Sequence, residues 1–184
     1  IGKQEWLAEN VSTPVFLNGD SILHAKTKQQ WVWAGRKQLP ALCYYDSNPD
    51  NDGIHGRLYN WYAVSSSKQL CPKGYHVPTR SDWNELTKFI GNKTAGDQLK
   101  GKVGWKENGL DQFGFNATPG GQRTPNGDFT NIGNYTIWWT SSTTNVYAAT
   151  YRMIRDDVYK NSKLLQSNDI FEHGYCVRCV KDLN

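Results

Sequence analysis

Methionine occurs once in these 184 residues, glutamate only five times, and nowhere do 18 apolar residues run together. The last absence excludes a membrane-spanning helix. Against so little Glu and Met stand twelve Asp, sixteen Asn and seventeen Gly. These residues favour turns and caps over helix interiors, which excludes helical bundles and coiled coils. A net charge of +4, with no Lys/Arg run longer than two, excludes nucleic acid as the partner. The patterns that carry common chemistries are missing as well. His24, His55, His76 and His173 stand isolated, and there is no HExxH, P-loop, GxGxxG after a strand, or GxSxG. Asp156 and Asp157 are adjacent, so on a strand they would face opposite ways. No catalytic residue, metal ligand or cofactor site is assigned, and the chain is expected not to be an enzyme.

What is present is a globular composition, 38% hydrophobic and rich in rings, with eight Trp and ten Tyr. The length suits one domain over residues 1–184. The chain opens at Ile1 with no charged stretch leading into an apolar one, which fits a removed signal segment or an excised domain. Its cysteines are Cys43, Cys71, Cys176 and Cys179. Tyr175–Lys181 reads as a strand after Gly174, and residues three apart on a strand face opposite ways, about 10 Å apart. A disulfide needs Cα atoms within about 7 Å, so Cys176 and Cys179 can neither bridge each other nor share a metal. Two long-range disulfides, or one with two free thiols, remain open. Either places the protein outside the reducing cytosol.

Along the chain, Glu5–Val11 reads as a first strand and Trp31–Trp33 as another. Asp46–Gly53 is a turn-rich, solvated loop, since a calcium-loop register from Asp46 meets Asn51 and Arg57 where Gly and Glu are required. Arg57–Val64 leans to a short helix. Residues 81–90 are the clearest helix, capped by Thr79, with Asp82 in its first turn and Trp83, Leu86, Phe89 and Ile90 as its buried stripe. A second helix is expected at Ala95–Lys100, anchored by Leu99. Beyond Gly101 a turn signal recurs every eight to ten residues, the pattern of short strands and ordered loops. Trp138–Ser142 and Tyr147–Ile154 read as consecutive strands. The fold class is α+β: about two helices packed on a small, twisted, mostly antiparallel sheet with long ordered loops.

Several stretches taken together resemble a known family: Glu5–Asn10, Gly56–Val64, Leu70–Thr79 with Trp83 and Leu86, Phe113–Gly121, Trp138–Ser142 and Val177–Asp182. Their order and types are similar to the Fibrobacter succinogenes major paralogous domain, a family of exported bacterial proteins. Val77-Pro-Thr79 with Trp83 is also similar to an element of the formylglycine-generating-enzyme superfamily. Both likenesses imply a C-type-lectin-like fold. In that fold a cysteine beside a helix commonly pairs with one in the last strand, which favours Cys71–Cys179 and leaves Cys43 and Cys176 as a less secure second pair. The usual Gly-Phe-Ser before Val-Arg-Cys is here Gly174-Tyr-Cys176, a departure that weakens that second bridge.

The resemblance further implies use as the variable protein of a diversity-generating retroelement, in which a C-terminal segment on a rigid scaffold is diversified to make new binding surfaces. Here residues 1–137 would be scaffold and 138–184 the variable, ligand-binding segment. Its candidate ligand contacts are Tyr147, Thr150, Arg152, Met153, Arg155, Asp157, Tyr159, Phe171 and His173, types that offer rigid area and directed hydrogen bonds. Strand alternation sends about half of them inward. The expected partner is a protein or glycan on another cell or surface, bound by a monomer at the bacterial cell surface or beyond it, without membrane insertion by this domain. The alternatives are a copper-dependent oxidase like the formylglycine-generating enzymes, a chemistry the separation of Cys176 from Cys179 fits poorly, and a structural module of a surface appendage.

Overall fold

The computed structural model of the chain describes residues 1–156 and 163–182. It is an α+β fold of short elements: β1 (Leu23–His24), α1 (Lys28–Arg36), β2 (Ala41–Cys43), α2 (Asp52–His55), β3 (Leu58–Tyr59), α3 (Trp61–Val64), β4 (Tyr75–His76), α4 (Arg80–Ile90), α5 (Ala95–Leu99), β5 (Gly120–Arg123), β6 (Phe129–Ile132), β7 (Tyr135–Thr143), β8 (Ala148–Arg155), β9 (Leu165–Ile170) and β10 (Val180–Lys181). Five strands make the main sheet, in the order β6-β5-β7-β8-β9. All its pairings are antiparallel except β5 with β7. β1, β2 and β3 form a second sheet, and β10 closes on β4.

Trp138 and Trp139, adjacent on β7, explain how this sheet carries two cores. Successive side chains of a strand point to opposite faces. Trp138 packs against Trp83 of α4 and Phe115, with ring centroids 5.5 and 5.7 Å away. Trp139 packs against Tyr175 at 4.5 Å and donates its indole N–H to the Tyr59 carbonyl. Both tryptophans are fully buried. The first core gathers α4, α5 and Ile154; the second gathers Leu42, Val64, Leu70, Ala149 and Val177.

α4 forms for the reasons its sequence gives. The Thr79 side chain accepts from the Asp82 N–H while Asp82 accepts from the Thr79 N–H, so two end donors are satisfied reciprocally. Trp83, Leu86 and Ile90 are buried, but Phe89 is 60% exposed, outside the expected stripe. α5 is anchored by a fully buried Leu99.

Other expectations need correction. Trp31–Trp33 is not a strand but the middle of α1, where Thr27 and Gln30 form a second capping box and Trp31, Ala34 and Gly35 make the buried face. Glu5–Val11 is extended but irregular. It pairs with the C-terminal segment through Leu7 N–H to Cys179, Val11 N–H to Val177, Lys181 N–H to Glu5 and a bridge of Trp6 with Val180. Arg57–Val64 divides into β3 and one turn of helix, α3, because the Asn60 side chain accepts from the Ala63 N–H and caps the turn. Tyr175–Val177 makes single bridges to Tyr59 and Trp138, and only Val180–Lys181 is regular strand.

Cys71 and Cys179 are joined by a disulfide with Cα atoms 6.0 Å apart. The less secure second bridge is not formed: Cys43 and Cys176 are free, buried thiols. Burial holds both protonated, pushing Cys43 up to about 11 and Cys176 up to about 12. Cys176 lies in the first core and Cys179 in the second, so the two do not converge.

Candidate ligand-binding surface

β7 and β8 form a hairpin whose turn, Thr144–Tyr147, stands out from the sheet, with Val146 77% and Tyr147 73% exposed. β9 is the sheet edge beside it, and its end is held at this turn by the Phe171 N–H donating to the Tyr147 carbonyl. Ile170, 43% exposed, completes the apolar tip.

Behind the tip lies a layer of rings. Phe171 stacks on Trp61 with centroids 4.3 Å apart and planes within 16°, and Tyr62 meets Phe171 edge-on at 5.8 Å. Each ring is tethered. Trp61 donates its indole N–H to the Thr140 carbonyl and its backbone N–H to the Phe171 carbonyl, and Tyr62 donates its hydroxyl to Glu172. Burial, with Glu172 beside it, pushes the Tyr62 hydroxyl up to about 12. It therefore stays a donor throughout the physiological range. The backbone under this layer is fixed by Gly174, where a Cβ would come within 2.9 Å of the Trp31 ring and 3.0 Å of Arg123 Cβ.

His173 continues the layer inward. Its Nε2 lies 3.2 Å from Asp169, and Asp169 also accepts the Tyr175 hydroxyl at 2.8 Å. Burial pushes the Asp169 carboxyl upward, but the His173 and Tyr175 donors outweigh it and hold the group below its ordinary value. Tyr151 and His173 both pack on the Tyr175 ring, at 5.3 Å each.

The structure therefore brings together Tyr147, Phe171 and His173 of the candidate contacts. The others it separates. Thr150 is buried at 2%, its hydroxyl bonded to that of Thr140 across the hairpin. Arg152 is buried at 4% on the α4 side and donates to Asn84. Met153 lies half-buried on the opposite face, against the second core, and Arg155 is half-buried and paired. Asp157 and Tyr159 lie outside the described residues. Sequence reasoning left out Trp61, Tyr62, Asp169 and Glu172. Trp61 and Tyr62 sit in a framework motif more than a hundred residues from Phe171, so no local pattern pairs them.

Away from this surface, Asp46–Gly53 folds as tight helical turns. Asp52 there accepts from Arg57 at 2.9 Å and from the Ser12 hydroxyl. His76 bridges two carboxylates, Asp82 and Asp182. Among the described residues, no three His, Cys, Asp or Glu side chains are grouped to hold a metal ion, and no helix is long and apolar enough to cross a membrane.

No curated protein and no solved structure matches the chain. A family model does match, over residues 1–181, nearly end to end. The chain belongs to the family of the Fibrobacter succinogenes major domain.

Proposed function

We propose that this chain is a non-enzymatic ligand-binding domain with a C-type-lectin-like fold, the variable protein of a diversity-generating retroelement, displayed on an exported or surface protein. The observation that carries the reading is the tip formed by Val146, Tyr147 and Ile170, exposed apolar residues held on a tethered layer of rings. An exposed ring flanked by exposed aliphatic residues on such a scaffold suits recognition, since a rigid aromatic offers contact area at low entropy cost. The disulfide fits a life outside the reducing cytosol. The ligand is a protein or glycan on another cell, and the domain acts as a monomer.

The reading is tested by deep sequencing the 3′ end of the gene from a growing population. Substitutions should concentrate at adenine-bearing codons between Thr143 and His173, and should fall on exposed positions such as Tyr147 while sparing Ala148, Ala149 and Thr150. An even spread of substitutions over the gene would sink it.

A further inference from the structure

Three arginines, Arg123, Arg152 and Arg178, are no more than 4% exposed, and two of them show what a satisfied one looks like here. Arg178 donates to Asn10 Oδ1 and to the Leu7 and Phe115 carbonyls. Arg123 donates to the Gly127 and Ala25 carbonyls and lies over the Trp31 and Phe129 rings. Arg152 is different. Its hydrogen bonding among the described residues is one bond, from Nη2 to the side-chain oxygen of Asn84 on α4. Its Nε–H is buried and meets no acceptor among the described residues. Among the described residues the charge that bears on it is a second cation: burial, and then Arg80, lower its affinity for its own proton to about 10. A buried charge with neither counterion nor full hydrogen bonding is costly, and leaving one next to another cation adds to that cost.

Arg152 stands on β8, one strand in from the edge of the main sheet. In the β8 ladder it faces Trp138 on β7 and Gln166 on β9, so all three side chains share the face that looks toward α4. α4 packs on β7 and β8, while Gln166 and Asn168 of β9 are exposed. The guanidinium thus meets Asn84 of α4 on the covered face of the sheet, next to the strand that carries exposed Gln166, with exposed Arg80 one turn before Asn84. Beyond Asn84 opens a groove of about 1000 Å³ whose lining includes Lys3, Ser81, Lys88 and the acid Glu85.

We propose that Arg152, with Asn84 and Arg80 beside it, is an anion subsite that takes a carboxylate group carried by the ligand. The hydrogens that Asn84 leaves free lie in the plane of the guanidinium, where a planar two-oxygen acceptor can take two of them at once. One carboxylate also matches one buried cation in charge. The inference deepens the binding-surface reading by naming the ligand's chemistry. It rests on that reading for its biological use and is tested separately.

The test follows the Arg152 Nε–H signal by NMR of ¹⁵N-labelled protein, assigned by its loss in Arg152→Met. Sodium acetate, glucuronate and N-acetylglutamate are titrated against chloride at equal ionic strength, with phosphate as a further arm. The expected result is a saturable shift with the carboxylates and a rise in Tm that Arg152→Met abolishes. Arg80→Gln, at an exposed position, should weaken binding roughly 3- to 10-fold, the size of one ordinary, solvent-screened hydrogen bond. It carries the test where Arg152→Met does not fold. Tighter binding of glucuronate points to a uronic acid on the ligand, and of N-acetylglutamate to an acidic side chain; either supports the proposal. A signal indifferent to every carboxylate, or an Arg152→Met protein with the wild-type thermal response, overturns it. Phosphate binding as tightly as the carboxylates overturns the carboxylate assignment. Diversified codons with no carboxylate binding would remove the subsite and leave the binding surface standing. Carboxylate binding with undiversified codons would do the reverse.

Discussion

Trp61 and Phe171 stack face to face across 110 residues of chain, one from the framework and the other from the segment expected to vary. The stack couples the candidate binding tip to the scaffold, since Phe171 also takes its place beside Tyr147 through the backbone. Aromatic pairs add about 0.5–1.5 kcal/mol beyond the area they bury. A double-mutant cycle of Trp61→Ala and Phe171→Ala, read by urea unfolding, should therefore give a coupling of about that size. Zero coupling would mean that the two rings merely share a neighbourhood.

Cys71 and Cys179 close a loop with a sequence separation of 108. Chain-entropy reasoning gives about 4–5 kcal/mol for a loop of this length. The bridge ties the strip leading into β4 to the strip that pairs with Glu5–Val11, so its loss frees both ends of the second core. Replacing both cysteines by Ser should lower the unfolding free energy by about 2–5 kcal/mol. By contrast, Cys43→Ala or Cys176→Ala should leave the stability unchanged under reducing and oxidising conditions alike, apart from the small packing loss. A stability that depends on oxidant after Cys71 and Cys179 are removed would reveal a second bridge.

Legibility in the sequence followed how local each signal is. α4 was readable because its capping pair and apolar stripe lie within twelve residues, and the strand at Trp138–Ser142 because its aromatic and hydroxyl residues favour extended backbone. α1 was misread because Trp-Val-Trp has strand-like residue preferences, although Thr27 and Gln30 already spelled its capping box. β9, with the sequence Leu-Gln-Ser-Asn-Asp-Ile, carries almost no apolar alternation; its pairing with β8 alone makes it a strand. The Cys71–Cys179 bridge came from family resemblance and not from spacing. In the candidate surface, the register of β8 decided which residues face outward, and no single sequence fixes a register. That is why Thr150 and Arg152 turn out buried while Trp61 and Tyr62, far away in the chain, join Phe171.

Arg178 is fully buried and holds together strips that are far apart in sequence. Its Nε and Nη2 both donate to Asn10, Nη1 donates to the Leu7 and Phe115 carbonyls, and the guanidinium lies 4.3 Å from the Phe115 ring centroid. Lysine has neither the planar fork nor the reach to serve these acceptors together. Arg178→Lys should therefore cost about 2–4 kcal/mol, since each buried acceptor left unpaired costs about 1–3 kcal/mol. Thermal and urea unfolding check it, and a loss below about 1 kcal/mol would show that water or rearrangement replaces the arginine.

His55 supplies a pH dependence with a definite sign. Its ring is largely buried, Nδ1 has no hydrogen-bond partner among the described residues, and burial lowers its affinity for a proton. The unfolded chain therefore binds a proton at His55 more readily than the folded protein does, and stability rises with pH wherever that difference holds. The contribution is fully present above the unfolded value of about 6.5 and falls as the pH drops below it, down to the lower folded value. His24 is lowered in the same direction, by burial first and then by nearby Lys26, and adds to the effect. Tm should accordingly decline between about pH 7 and about pH 5, well above the range where carboxylates such as Asp169 titrate. His55→Asn should flatten that decline without steepening it anywhere. A wild-type Tm that is level across this interval, or a variant that declines as steeply as the wild type, would show that His55 takes up its proton in the folded protein as easily as in the unfolded chain.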